Sequence, residues 1–336
     1  MRYMEDERIT LAHGNGGRFM RELIEEVFAR NLADSDLDTE ADAVPIALNG
    51  GEVMITTDGF TVQPLEFPGG DIGSLAVHGT VNDLSVAGAR PMYLTLNAFI
   101  EEGLEIALLD RLIASLAAAA REANVKVSAG DTKVLRNGEG GGLYLATTGV
   151  GIRLPGARLS ISNIRDGDVI LVSGSVGDHG TAIMLAREAF GLRGDVRSDS
   201  APVAELTEAL LQFDGLRFMR DPTRGGIASV ANEICRATGL GVRFEASIPV
   251  KDPVQSVCEM LGYDPYYLAC EGRVVAVIAA DQADAALRTW RQCRRGQDAA
   301  RIGTISAANS RVILETGLGG ERFLEELEDD PLPRIC

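Results

Sequence analysis

Val169-Ile170-Leu171-Val172-Ser173-Gly174-Ser175-Val176-Gly177-Asp178-His179-Gly180 reads as a strand, a glycine loop and the entry to a helix from Thr181 to Phe190. Strand, glycine turn and helix in that order invite a dinucleotide-binding interpretation. The spacing argues against it, because Gly174, Gly177 and Gly180 stand three and three apart rather than as G-x-G-x-x-G. The stretch therefore predicts α/β architecture without a Rossmann domain. His179 is expected to be a loop histidine rather than a catalyst.

Beyond this stretch, Pro202 opens a helix with Val203, Leu206, Leu210 and Leu211 on one side. Met219-Arg220-Asp221-Pro222-Thr223-Arg224-Gly225-Gly226 then enters a helix carrying Ile227, Val230 and Ile234. A glycine turn at a helix start presents N–H groups and the positive dipole end to an anion. Asp221 adds a metal-type oxygen, and Arg224 adds a fork suited to phosphate. Strands are expected over Val242–Ile248 and Arg273–Ala280, with a helix from Pro253 to Leu261 between them. Glu271 precedes the second strand among apolar neighbours, where partial burial favours the neutral form of a carboxyl group. A helix from Ala283 to Cys293 and short strands near Ile302 and Val312 follow.

On the other side, Arg153 to Asp166 carries Pro155 and Gly156 without strong periodicity and is expected to cross between two domains. Upstream of it, Leu143–Ile152, Met92–Ile100 and Val125–Ser128 read as strands, and Glu105–Ala123 as a helix rich in Ala and Leu. Val125–Ser128 runs into Ala129-Gly130-Asp131-Thr132-Lys133. A lysine just past a strand end either meets a phosphate, serves as a base, or is a surface lysine in a turn. Val53–Thr57 is a strand ending on Asp58-Gly59, and Phe67-Pro68-Gly69-Gly70-Asp71-Ile72-Gly73 leads into a helix that carries Asn82-Asp83. Asp58, Asp71 and Asp83 thus sit at a strand end, a glycine loop and the following helix, an arrangement that lets carboxylates converge on a hard cation such as Mg²⁺. His13-Gly14-Asn15-Gly16-Gly17 is a further glycine loop before a helix pattern with Met20, Leu23, Ile24, Val27 and Phe28. It is no P-loop, since no Lys-Ser/Thr follows. Asp34 to Asp42 is an acidic connector.

The whole chain has 336 residues, 46% of them hydrophobic and 24% charged, which suits two domains with their own cores. A net charge of −17 argues against nucleic acid and anionic membranes as partners. No apolar run reaches a membrane span, and the charged start lacks a signal peptide, so a reducing cytoplasm is expected. The cysteines Cys235, Cys258, Cys270 and Cys293 lie in apolar or helical contexts and are expected to be buried; the fifth, Cys336, ends the sequence. No C-x-x-C pair suggests zinc. Pro331-Leu332-Pro333-Arg334-Ile335-Cys336 reads as an extended arm, because two prolines bar helix and central strand. From Glu328 it reaches roughly 25–30 Å. The bland alternative is a frayed terminus.

Taken in order, His13–Gly17, Phe67–Gly70, Asn82-Asp83, Gly130-Asp131-Thr132-Lys133, Asp221–Gly226, Glu271-Gly272 and the Pro331–Cys336 ending resemble the HypE family of hydrogenase maturation factors almost end to end. The resemblance implies a PurM-like (aminoimidazole ribonucleotide synthetase) fold, α/β with mixed sheets. Its domains would be residues 1–152, which dimerise and bind nucleotide, and residues 153–327, with a tail over 328–336. It implies ATP-dependent dehydration of an S-carbamoyl group on Cys336 to a thiocyanate. HypF would donate the carbamoyl group, and the HypC–HypD complex would accept cyanide for the [NiFe] centre. It also implies a homodimer, Lys133 and Glu271 as bases, and Mg²⁺ on Asp58, Asp83 and Asp221. ATP would contact Gly14, Asn15, Gly16, Gly17, Asp71, Asp131, Arg224, Gly225 and Gly226. A selenophosphate synthetase, thiamine-phosphate kinase or purine-pathway synthetase would share the aspartates, although the first of these carries Cys or selenocysteine in the first glycine loop, where this chain has none. A non-enzymatic carrier using Cys336 is the alternative from another class.

Overall fold

The computed structural model describes residues 7–14, 18–32, 48, 50–187, 195–327 and 335. Two compact units divide the chain. One takes in the described residues up to Leu84, Arg90–Arg153 and Ile335; the other takes in Ser85–Ala89 and the described residues from Leu154 to Leu327. The acidic connector Asp34–Asp42, Asn15–Gly17 and Cys336 lie outside the described residues.

The first unit opens with helix α1 (Arg18–Leu23), which continues as a π-helical turn over Ile24–Ala29. Strand β1 (Val53–Phe60) follows, then the two-residue strands β2 (Glu66–Phe67) and β3 (Gly70–Asp71), helix α2 (Ile72–Val86), β4 (Ala89–Glu101), α3 (Ile106–Glu122), β5 (Lys126–Leu135) and β6 (Leu143–Arg153). The main sheet has the order β1-β6-β4-β5, with β1 antiparallel to β6 and β4 parallel to β5. Parallel neighbours need a crossover, and α3 supplies it. Its sequence repeats apolar residues at helical spacing, so Leu109, Leu112, Ile113, Leu116 and Ala120 form one buried stripe. After α3, Asn124 adopts φ 54°, a conformation asparagine tolerates better than most residues, and turns the chain into β5.

The second unit runs β7 (Val169–Val172), α4 (Asp178–Ala186), α5 (Ala204–Leu210), β8 (Leu216–Arg220), α6 (Gly226–Thr238), β9 (Gly241–Phe244), α7 (Asp252–Leu261), β10 (Val275–Ile278), α8 (Ala283–Trp290), β11 (Ala300–Ser306), β12 (Val312–Glu315) and β13 (Glu321–Phe323). Its seven-stranded sheet has the order β13-β12-β9-β11-β7-β10-β8 and is antiparallel except at β12/β9. β7 and β10 are buried throughout, and their side chains alternate between two cores. Ile170, Val172, Val275 and Val277 pack with the α6 residues Ile227, Val230 and Ile234. Leu171, Ala276 and Ile278 pack with Leu206 and Leu210 of α5 and Ala286 and Trp290 of α8. Helices on both faces of the sheet explain why these strands are continuous apolar runs.

Several expectations are corrected at the level of local structure. Asp58 lies inside β1 rather than at its end, and Lys133 lies inside β5 rather than in a turn beyond it. His179 is a fully buried residue of α4, with Nδ1 2.8 Å from Ser198 Oγ, not a loop histidine. Strand β13 was not foreseen, because its three exposed residues carry no alternation of apolar and polar character. The segment after β13 is tied down: Leu324 is buried and its carbonyl accepts from Asn232 Nδ2 at 3.1 Å. Tyr267 Oη donates to the Glu325 carbonyl at 2.8 Å, and Arg236 pairs with Glu326 at 2.6 Å.

Candidate active site

In the first unit, strand and helix geometry brings two of the predicted acids to one surface. Thr56 and Asp58 are two apart on β1 and so share a face. Thr56 Oγ1 donates to Asp83 Oδ2 at 2.8 Å. Asp58 Oδ2 lies 3.8 Å from the position a Cβ would take at Gly79, one α2 turn before Asp83. Asp58 and Asp83 therefore both project between β1 and α2. Asp71 does not join them: it opens α2, and 12 residues separate it from Asp83, about 18 Å along the helix. Its Oδ1 accepts from the Ser74 N–H at 2.9 Å, the work of a helix cap. Burial pushes the Asp71 pKa up, partly offset by hydrogen bonds from Ser115 and the Ser74 and Gly73 amides.

Asp131 and Lys133 lie on β5, three strands from β1 in the sheet order, which is about 14 Å. Lys133 Nζ is 2.7 Å from Asp131 Oδ2, and both side chains are exposed. The turn Leu11–Gly14, which leads into the first glycine loop, packs against β5.

In the second unit the loop after β8 meets the turn before β10. Cys270 N–H donates to the Pro222 carbonyl at 3.0 Å, placing Asp221 and Glu271 on adjoining segments, and both are buried. Arg224 is exposed at the mouth of α6. Gly225 and Gly226 have φ 74° and 57°. A Cβ at Gly226 would stand 2.5 Å from the Tyr266 carbonyl oxygen, so only glycine lets the helix start approach this backbone.

An ionic cluster around the buried carboxylates of Asp178 and Asp199 was not read from the sequence. Asp178 Oδ2 receives Ser175 Oγ and Lys251 Nζ, each at 2.7 Å, with Arg273 Nη2 at 3.5 Å. Asp199 accepts the Glu271 and Gly272 amides at 3.2 and 3.1 Å and lies 3.5 Å from Arg273 Nε. The available signals were slight: Asp178 stands inside a glycine loop, and Asp199 lies between two serines.

Cys235, Cys258, Cys270 and Cys293 are all free thiols and all buried. Burial raises each pKa, to about 11 for Cys258 and well above the usual thiol value for Cys270. Four thiols of this kind are poor nucleophiles near neutrality. Among the described residues, no three His, Cys, Asp or Glu side chains form a group able to hold a metal by themselves. Mg²⁺ does not require one, since it commonly takes one or two carboxylates and completes its shell with phosphate and water oxygens. The Asp58 and Asp83 pair fits that demand. No helix among the described residues is long and apolar enough to cross a membrane.

Comparison with known proteins bears on both units. Residues 40–153 match the N-terminal domain, and residues 165–315 the C-terminal domain, of AIR synthase related protein. The chain is 47% identical over 331 residues to carbamoyl dehydratase HypE of Azotobacter vinelandii, covering 98% of this chain and 97% of that one. It superposes with a TM-score of 0.92 and 43% identity on a crystal structure of hydrogenase maturation protein HypE in complex with ATP, covering 97% of this chain and 99% of that one. A crystal structure of a HypE–HypF complex matches with a TM-score of 0.80 and 42% identity over 91% of this chain and 99% of that one.

Proposed function

The chain belongs to the HypE family of AIR synthase related proteins, and on that premise we propose that it dehydrates an S-carbamoyl group on its own Cys336, at the expense of ATP, to a thiocyanate that supplies the cyanide ligands of [NiFe] hydrogenase. The observation that carries this reading is the nearly full-length likeness to a carbamoyl dehydratase. HypF is the proposed carbamoyl donor, the HypC–HypD complex is the proposed acceptor of cyanide, and a reducing cytoplasm keeps Cys336 a free thiol. The test is intact mass after incubation with HypF, carbamoyl phosphate and ATP. A carbamoyl adduct that then loses one water is expected for the wild type, and no adduct for Cys336→Ala, whose remaining thiols are buried. An adduct on Cys336→Ala would overturn the assignment.

The chemistry requires a better leaving group than oxide. The carbamoyl oxygen attacks the γ-phosphorus of ATP, its bond to ADP breaks, and the nitrogen gives up one proton to leave an O-phosphorylated thioimidate. Loss of the second N–H proton then expels phosphate and forms the C≡N bond. Glu271, buried with its backbone fixed, is proposed as one base. Lys133 is proposed as the other. Its Nζ stands 2.7 Å from Asp131 Oδ2, on an exposed stretch of β5. Arg224 and the glycine-bounded start of α6 are proposed to hold phosphate, together with the glycine loop Gly14–Gly17, and Asp131 is proposed to contact the nucleotide. Asp71 is proposed to contact the nucleotide from the start of α2, which it caps.

Asp58 and Asp83 are the residues proposed to hold Mg²⁺ on the first unit, and Asp221 is the corresponding acid on the second. The ion would neutralise phosphate charge. Asp83→Asn keeps an oxygen for Thr56 Oγ1 and so should fold, while Mg²⁺-dependent ATP turnover falls at least ~10-fold. A Mg²⁺ titration of turnover checks this, and an unchanged curve removes Asp83 from the site.

A homodimer through the first unit is also proposed. Val53, Ile55 and Thr57 share one face of β1, opposite Ile152, Val150 and Thr148 of β6. The other face meets α2, where a Cβ at Gly149 would touch Thr80 and Leu84. Ile55 is 72% exposed and Val53 49%, so the open face is apolar and available to a second copy. Ile55→Glu should convert the dimer to monomers in light scattering; a persistent dimer would move the interface elsewhere.

A further inference from the structure

The backbone that carries Glu271 is held by a group that is itself buried. Asp199 is reached by two consecutive amides, Glu271 N–H on Oδ1 at 3.2 Å and Gly272 N–H on Oδ2 at 3.1 Å. The next residue, Arg273, sends Nε to within 3.5 Å of the same Oδ2. The Asp199 side chain is 1% exposed, so these bonds are not shared with bulk water. Gly272 lies so near the Asp199 backbone that a Cβ would stand 1.9 Å from its carbonyl oxygen. Arg273 is fixed in turn, with Nε donating to the Ser175 carbonyl at 2.9 Å and Nη2 to Ser175 Oγ at 3.3 Å. Three consecutive residues thus meet one carboxylate, and the last of them is also held by the loop that precedes α4.

We propose that Asp199 is a positioning residue for the dehydration, acting through Glu271 by fixing the backbone that carries it. The inference rests on the reading of Glu271 as a base. A carboxylate that bridges two successive N–H groups sets the peptide plane between them, and hence the direction of the Glu271 side chain. Asn cannot do the same, because its NH₂ would face either an amide N–H or the Arg273 guanidinium. Misplacing a reacting group by about 1 Å can cost on the order of 10²-fold in rate.

The test uses full-length protein carbamoylated by HypF, with thiocyanate formation followed by mass in a single turnover with ATP. Asp199→Asn is expected to lower the rate constant by ~10–100-fold and to leave the half-saturating ATP concentration within about twofold of wild type, a split that general loosening of the fold would not give. In a Glu271→Gln background the same substitution should cost less than about threefold more, because residues acting as a unit are not additive. A wild-type rate for Asp199→Asn, or losses that multiply in the double variant, overturns the clamp while leaving Glu271 as base. A wild-type rate for Glu271→Gln overturns the base assignment and the clamp with it. Should Asp199→Asn fail to fold, the cycle is run with Asp199→Ser, which keeps one acceptor oxygen.

Discussion

Glu271→Gln is expected to accept the carbamoyl group from HypF normally and then to form thiocyanate ~10²–10⁴-fold more slowly, the usual cost of losing a general base. The substitution is nearly isosteric and leaves the Glu271 and Gly272 amides on Asp199. The protein should therefore fold and bind ATP, and the carbamoyl form should accumulate. The expected size follows from burial: Glu271 is 2% exposed, so bulk water is a poor substitute for its carboxylate. Lys133→Ala should also slow dehydration, and the contrast between the two is informative. Lys133 is exposed and paired with Asp131, so added primary amines can reach its place and are expected to restore part of its rate. No such rescue is expected for Glu271→Gln. Single-turnover mass spectrometry decides both, and a wild-type rate in either variant removes that residue from the mechanism.

A single glycine appended after Cys336 is expected to leave carbamoylation near its normal rate and to slow the loss of water by at least ~10²-fold. Ile335, the residue before the thiol, is 3% exposed and clusters with the first unit. On the docking proposal the reacting carbon sits where the chain stops, and the added glycine moves a carboxylate past it. Carbamoylation, on the proposal that HypF is the donor, does not need that fit. Accumulation of the carbamoyl form in the extended protein supports docking. Rapid conversion to the nitrile would show that the end of the arm is not enclosed.

The order of strands and helices was largely legible because its signals are local. Leu109, Leu112, Ile113 and Leu116 announce α3 by spacing alone, and Val169–Val172 announces a core strand. Strand ends were less legible: glycine and aspartate within Ala129–Lys133 suggested a loop, yet pairing with β4 through Ile100 and Glu101 carries β5 to Leu135. Neighbour pairing overrode local propensity there. Of the candidate site, the acids on β1 and α2 were legible because a strand followed by a helix restricts where they point. The clamp on Glu271 was not. Asp199 and Glu271 are separated by 72 residues, and no periodicity links them. His179 was misplaced for a related reason: its neighbours Gly177 and Gly180 suggest a loop, whereas Gly177, at φ 80°, only introduces the helix.

The fastening of Leu324, Glu325 and Glu326 to Asn232, Tyr267 and Arg236 has a kinetic meaning. It fixes the start of the segment that leads to Cys336, so a carbamoyl group carried there stays tied to the protein that dehydrates it, at an effective concentration on the order of millimolar however dilute the protein is. The substrate never has to be found, and the dehydration step becomes first order in the loaded protein. Diluting the carbamoylated chain should leave its half-life with saturating ATP unchanged. On the proposed reaction sequence, supply would then be governed by how often the donor loads Cys336 and how soon an acceptor empties it.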